Sequence, residues 1–194
     1  MNRILIILWL CLISLSHVKG QTVGVKTNLL YDATTTFNIG VETTLSPKWT
    51  LDLSGNYNPW TFSDNKKLKH ILVQPEFRYW FCEAFSGHFL GFHAHSAIYN
   101  VAGIELPKIG IIGGAGPDME KYRYQGWLAG GGISYGYQFY LGRRWNLEAT
   151  IGVGYAYLDY DQYECGTCGE FVGSSTKNYF GLTKAGISLI YLIK

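Results

Sequence analysis

Seven ionisable side chains in this chain sit at alternate positions among apolar neighbours, and these are the residues whose type and spacing could do chemistry: Lys26, Glu42, Asp52, Glu76, Arg78, Glu148 and Lys184. Four carboxylates on one shared face could contain an acid/base couple. Carboxylates mixed with three cations in a narrow space more simply neutralise one another, so the set is read as a structural charge network and no catalytic residue is assigned. His93 and His95 are two apart, as metal ligands on one strand face can be. A metal would need further donors in tetrahedral or octahedral array, and Glu76 is the one obvious neighbour. They are therefore read as members of the same hydrogen-bonded network, with no metal and no cofactor expected. No serine occupies a G-x-S-x-G elbow, and the glycines at 130–132 lack the strand-to-helix context of a phosphate-binding loop.

The other chemically distinctive stretch is Cys165-Gly166-Thr167-Cys168. A disulfide between Cys165 and Cys168 is the reading taken, because adjacent glycines give a short loop the freedom to close and the chain is read as exported to an oxidising compartment. A reactive dithiol and half of a zinc site are the alternatives. The first lacks the βαβ context of a thioredoxin-like motif, and the second lacks another CxxC. Cys82 falls in a turn at the opposite end of the strands, too far for either to reach.

Elements that could position these side chains are legible in residues 69–81, KHILVQPEFRYWF. A strand points successive side chains to opposite sides, which puts Ile71, Val73, Phe77 and Tyr79 on one face and His70, Gln74, Glu76 and Arg78 on the other. Seven further segments alternate in the same way: residues 23–32, 36–45, 49–58, 90–99, 129–139, 145–155 and 179–193. No stretch of ten or more residues carries a helical stripe. Fifteen tyrosines and 24 glycines suit a small, curved, all-β structure better than a helical one.

An alternating strand can face either way. In a soluble barrel the apolar face lines the core, whereas in a transmembrane barrel it meets lipid and the polar face lines the lumen. Three signals favour the membrane. The turns after the second, fourth and sixth segments are short, while those after the third, fifth and seventh are long, as in bacterial outer-membrane barrels, the loop after the first segment being the exception. Aromatic residues crowd the short-turn ends, with Trp49 and Trp145 opening segments and Trp80, Phe81, Phe139 and Tyr140 closing them, as an interfacial girdle would. Lastly, residues 1–20 read as a signal peptide, with Arg3 before an apolar run at 4–13 that is too short for a spanning helix. Its removal takes Arg3 and Lys19 from the 16 basic residues, leaving 14 against 14 acidic, a neutral balance that argues against a nucleic-acid partner. The expectation is an all-β chain: residues 21–194 as an eight-stranded antiparallel transmembrane β-barrel of the OmpA/OmpX type, with outer-membrane lipid around it. A lipocalin-like barrel with the same strands turned inside out is the soluble alternative.

Several blocks also carry a resemblance: KTNLLYDATTTFNIGVE at 26–42, LVQPEFRYW at 72–80, RWNLEATIGVGYAYLDYD at 144–161 and KNYFGLTKAGISLIYLIK at 177–194. They resemble a family of uncharacterised Bacteroidetes outer-membrane proteins. The resemblance implies a small barrel in the outer membrane of a Gram-negative bacterium, and a surface role linked to fimbriae with a fimbrial or other surface protein as partner. It supplies no catalytic residues. An outer-membrane enzyme of acyltransferase or protease type, and a small-solute or proton conductor, are the alternative functions.

Overall fold

The computed structural model describes residues 22–63, 66–103, 110–112, 122–164 and 169–193. The expected signal segment and the Cys165–Cys168 pair lie outside the described residues.

Alternating β-branched, aromatic and polar residues build eight long strands: β1 (Val23–Asn28), β2 (Phe37–Ser46), β3 (Trp49–Asn58), β4 (Lys67–Trp80), β5 (Gly87–Ala102), β7 (Tyr122–Tyr140), β8 (Trp145–Glu164) and β9 (Phe171–Ile193), with a three-residue β6 (Gly110–Ile112) between β5 and β7. All are antiparallel to their neighbours, and β1 pairs with β9 as well as β2, so the eight long strands close into one ring-like sheet. Closure removes the open sheet edges that otherwise invite aggregation. The short β6 lies against β9 near Phe180 and Gly181.

The turns alternate between the two ends, and the shorter ones fall mostly at one of them. Those at 47–48, 81–86 and 141–144 share one end with the start of β1 and the end of β9, and they are tied to neighbouring strands by backbone hydrogen bonds, Trp80 N–H to Lys48 O and Leu192 N–H to Arg144 O at 2.8 Å each. The other end carries the longer connections, and there β7, β8 and β9 run on for 19, 20 and 23 residues. These strands are longer than the sequence segments, because pairing between β8 and β9 continues as far as Tyr163 opposite Phe171.

The sequence expectation of strand through residue 32 is corrected. After Asn28 the chain turns into a short helix, α1 (Leu29–Ala33), because the Asn28 side chain accepts the Leu30 N–H as an N-cap. The same side chain accepts the Ile187 N–H and donates to Ala185 O. Asn28 thus fixes α1 against the part of β9 that β1 no longer covers.

Burial runs opposite to that of a protein with an oily core. Arg78, Glu42 and Asp52 are 0% exposed, while Phe37, Ile39 and Ile98 are 62%, 62% and 66% exposed. The arrangement is that of the polar-inside alternative, and the lipocalin-like orientation does not occur.

Candidate functional site

The interior of the ring is stacked in three tiers. At the short-turn end lie Trp80, Phe85, Phe89 and Ile190, all buried. The Trp80 ring centroid is 4.8 Å from Phe89 and 6.0 Å from Phe85, and its indole N–H donates to Thr50 Oγ1 at 2.9 Å. Phe85 enters from the turn with φ of +64°, a conformation that a bulky residue adopts only when its surroundings hold it there. Asn146 does part of that holding by donating to Phe85 O at 3.2 Å. Trp80 is therefore corrected from an interfacial girdle residue to an interior plug. Its even-numbered parity with Glu76 and Arg78 already pointed inward, and the parity of His93 extended back to Phe89 would have found the second ring.

Above the plug, all seven charged residues expected from the sequence converge. Register explains why they must be compensated: Glu42 lies directly opposite Asp52, and Asp52 directly opposite Glu76, so three carboxylates form one cross-strand row. Like charges directly opposite repel. Arg78 resolves the conflict as a hub. Its Nη1 donates to Glu42 Oε2 at 2.7 Å and to Glu148 Oε2 at 2.8 Å, its Nη2 to Glu148 Oε1 at 3.1 Å, and its Nε to Glu76 Oε1 at 2.8 Å. The guanidinium also stands 4.4 Å over the Phe89 ring, which joins the charge tier to the plug. Lys26 Nζ lies 2.8 Å from Asp52 and 3.1 Å from Glu42, and Lys184 pairs with Glu76.

Hydroxyls complete the acceptors. Thr50 donates to Glu42 at 2.5 Å, Ser134 to Glu76 at 3.1 Å and Thr150 to Glu148 at 2.9 Å. These three were not singled out in the sequence, since threonine and serine on a polar face carry no distinguishing signal. Fit is tight: a Cβ added at Gly91 would lie 2.4 Å from both Glu76 Oε1 and Ser134 Oγ. The remaining space among Lys26, Asn28, Tyr31, Asp52 and Lys184 is about 30 Å³, room for about one water.

His93 is opposite Glu76 in register, but its Nε2 makes a 2.9 Å hydrogen bond with Thr183 Oγ1 instead. Thr183 reaches inward because β9 bulges there: Lys184 pairs with Gly152 and Leu182 with Val153, leaving Thr183 as the extra residue. The His95 ring centroid is 5.7 Å from that of His93. Among the described residues no cluster of three His, Cys, Asp or Glu side chains could hold a metal ion.

Towards the long-loop end the interior is aromatic and small, with Tyr124 buried and in ring contact with Tyr160 at 5.3 Å, and with Ala97, Val101 and Ala156 also buried. Tyr31 on α1 reaches towards the charge tier.

On the outside, ring contacts run between strands around the short-turn end, Trp49 to Phe77 at 4.7 Å and to Tyr79 at 5.0 Å, His88 to Tyr137 at 4.5 Å and Trp145 to Tyr191 at 4.9 Å, with Tyr137 to Phe139 at 4.5 Å along β7 itself. Nearer the other end, Phe37 meets Trp60 and Trp127 meets Tyr157.

A ring of eight antiparallel strands with a charged, filled interior and an apolar exterior is thus the class of structure. The chain belongs to the family described as "Protein of unknown function (DUF3575)", which matches residues 5–193. No curated protein and no solved structure matches it.

Proposed function

We propose that this chain is an eight-stranded transmembrane β-barrel of the OmpA/OmpX type in the outer membrane of a Gram-negative bacterium, where it has a structural or interaction role at the cell surface. The observation that carries the reading is the inverted burial along the strands, since an exterior of Leu, Ile, Val and Phe is stable only where lipid covers it. The two outer sets of aromatic residues support it. On β7, Trp127 and Tyr137 are separated by roughly 33 Å of strand, which at the usual tilt projects to about 25 Å, the height of a barrel's apolar band.

Filling supports an anchoring role over conduction, because buried aromatic rings and a buried, paired charge tier occupy the interior. Beyond the upper aromatic set, β7, β8 and β9 continue out of the band, being about twice the 9–11 residues a tilted strand needs to span. That extension is the part offered to a surface protein, a fimbrial component being the partner the family resemblance suggests. The test has two parts. The purified chain should fold into phosphatidylcholine vesicles with heat-modifiable migration on gels, and cross-linking in native membranes should capture a surface protein through residues 157–163 of β8. A chain that stays in the aqueous phase without lipid or detergent would refute the membrane assignment.

A further inference from the structure

A large concavity lies on the outside of the ring. A groove of about 840 Å³ is bounded by the outward faces of β2, β3 and β4, and by the segment at 59–62 that folds over them. That volume falls within the roughly 300–1,000 Å³ of pockets that hold small-molecule ligands. Phe37, Ile39, Tyr57, Ile71 and Val73 form its floor, each between 47% and 62% exposed, and Trp60 and Phe62 form its wall. The wall is fixed. Trp60 donates its indole N–H to Thr35 O at 2.9 Å and its backbone N–H to Asn58 Oδ1 at 3.1 Å, and Phe62 N–H donates to Lys66 O at 2.8 Å.

Charge is distributed unevenly around the groove. Period-two alternation along β4 places Lys67 and Lys69 on the same outward face as Ile71 and Val73, one step further from the middle of the strand. Among the described residues neither lysine forms an ion pair with a carboxylate. Asp32, the acid at the groove's other margin, is already engaged by the Thr27 hydroxyl at 2.9 Å. An apolar trough continuous with the lipid-facing surface and topped by two outward cations matches an amphiphile with apolar chains and an anionic head.

We propose that this groove binds the phosphorylated glycolipid of the outer leaflet, with an acyl chain along Phe37, Ile39, Ile71 and Val73 and a phosphate on Lys67 and Lys69. This rests on the membrane reading above. It is the long-loop end of β2–β4 that carries the groove, and in that orientation this end lies in the outer leaflet. Lysine serves such a headgroup as a point charge on a flexible stem, while the fixed wall lowers the entropy lost when a chain is held.

The experiment folds the protein into phosphatidylcholine vesicles and adds either diphosphorylated lipid A or phosphatidylglycerol. Lipid retained per protein after extraction into mild detergent is then counted by native mass spectrometry. Wild-type protein is expected to keep lipid A. The double variant Lys67→Glu/Lys69→Glu should keep at least about tenfold less, equivalent to about 1.4 kcal/mol, with heat-modifiable migration unchanged. The variant Trp60→Ala/Phe62→Ala should also lose retention, and Arg143→Glu, which reverses a charge at the opposite end, should not. Equal retention by wild type and the double lysine variant overturns the site while leaving the membrane assignment intact. Equal retention of phosphatidylglycerol by wild type overturns the choice of glycolipid. A chain that fails to enter any vesicle overturns both.

Discussion

Arg78 is the residue whose removal tests the interior most directly. Three cations, Lys26, Arg78 and Lys184, stand against four carboxylates, Glu42, Asp52, Glu76 and Glu148, and Arg78 contacts all four acids within 3.2 Å. In Arg78→Ala two cations remain for four acids, the carboxylate row of Glu42, Asp52 and Glu76 loses the guanidinium that contacts all three, and Glu148 loses its bidentate donor. Breaking a buried pair by deleting one partner costs about 3–5 kcal/mol, and loss of the guanidinium face on Phe89 adds roughly 1 kcal/mol. With a urea slope of about 2 kcal/mol/M, the unfolding midpoint followed by tryptophan fluorescence in detergent should fall by roughly 2–3 M. Arg78→Lys keeps the charge but not the forked geometry and should fall between the two. Combining Arg78→Met with Glu148→Gln removes a charge of each sign, so it should recover part of the loss. An Arg78→Ala protein with the wild-type midpoint would mean that water already solvates these acids, and the reasoning from a dry, compensated interior would be wrong.

Trp80→Ala should destabilise by about 3–5 kcal/mol through the cavity it leaves, and in planar bilayers it should raise ion conductance above that of the wild type, which is expected to be closed; an equally closed variant would show that the plug does not seal the interior. Gly91→Val drives a side chain into Glu76 and Ser134 and should lower the urea midpoint by the equivalent of about 1–3 kcal/mol, whereas Gly55→Val, with nothing within 4 Å, should leave it nearly unchanged. Trypsin applied to intact cells is expected to cut after Lys66 or Lys108 and to spare Arg143 and Arg144, and cleavage at the arginine pair alone would reverse the orientation. Alkylation without reduction should modify Cys82, which is exposed and free, and leave a Cys165–Cys168 link detectable by mass spectrometry; three modified cysteines would remove the disulfide.

Strand number, strand polarity and the identity of the charged set follow from the sequence alone, because a period of two is a local property that each segment displays without reference to its neighbours. Residues 49–58 coincide with β3 for that reason, and the parity of Glu76, Arg78 and Trp80 already puts them on one face. Local pattern could not settle which polar residues meet. The row of Glu42, Asp52 and Glu76 is a matter of register between strands, and the choice of Arg78 as hub depends on a side chain long enough to cross to Glu148 on β8. Position 183 shows the limit most clearly. Alternation counted from Lys184 turns Thr183 outward, yet the bulge in β9 brings it in to hydrogen-bond with His93. Asn28 shows it too, since its cap on α1 is local but its bonds to Ala185 and Ile187 exist only once the ring has closed. Period and parity are carried by each residue's immediate neighbours, whereas register, bulges and closure are fixed by contacts between residues far apart in the chain, and those form only when the whole sheet comes together.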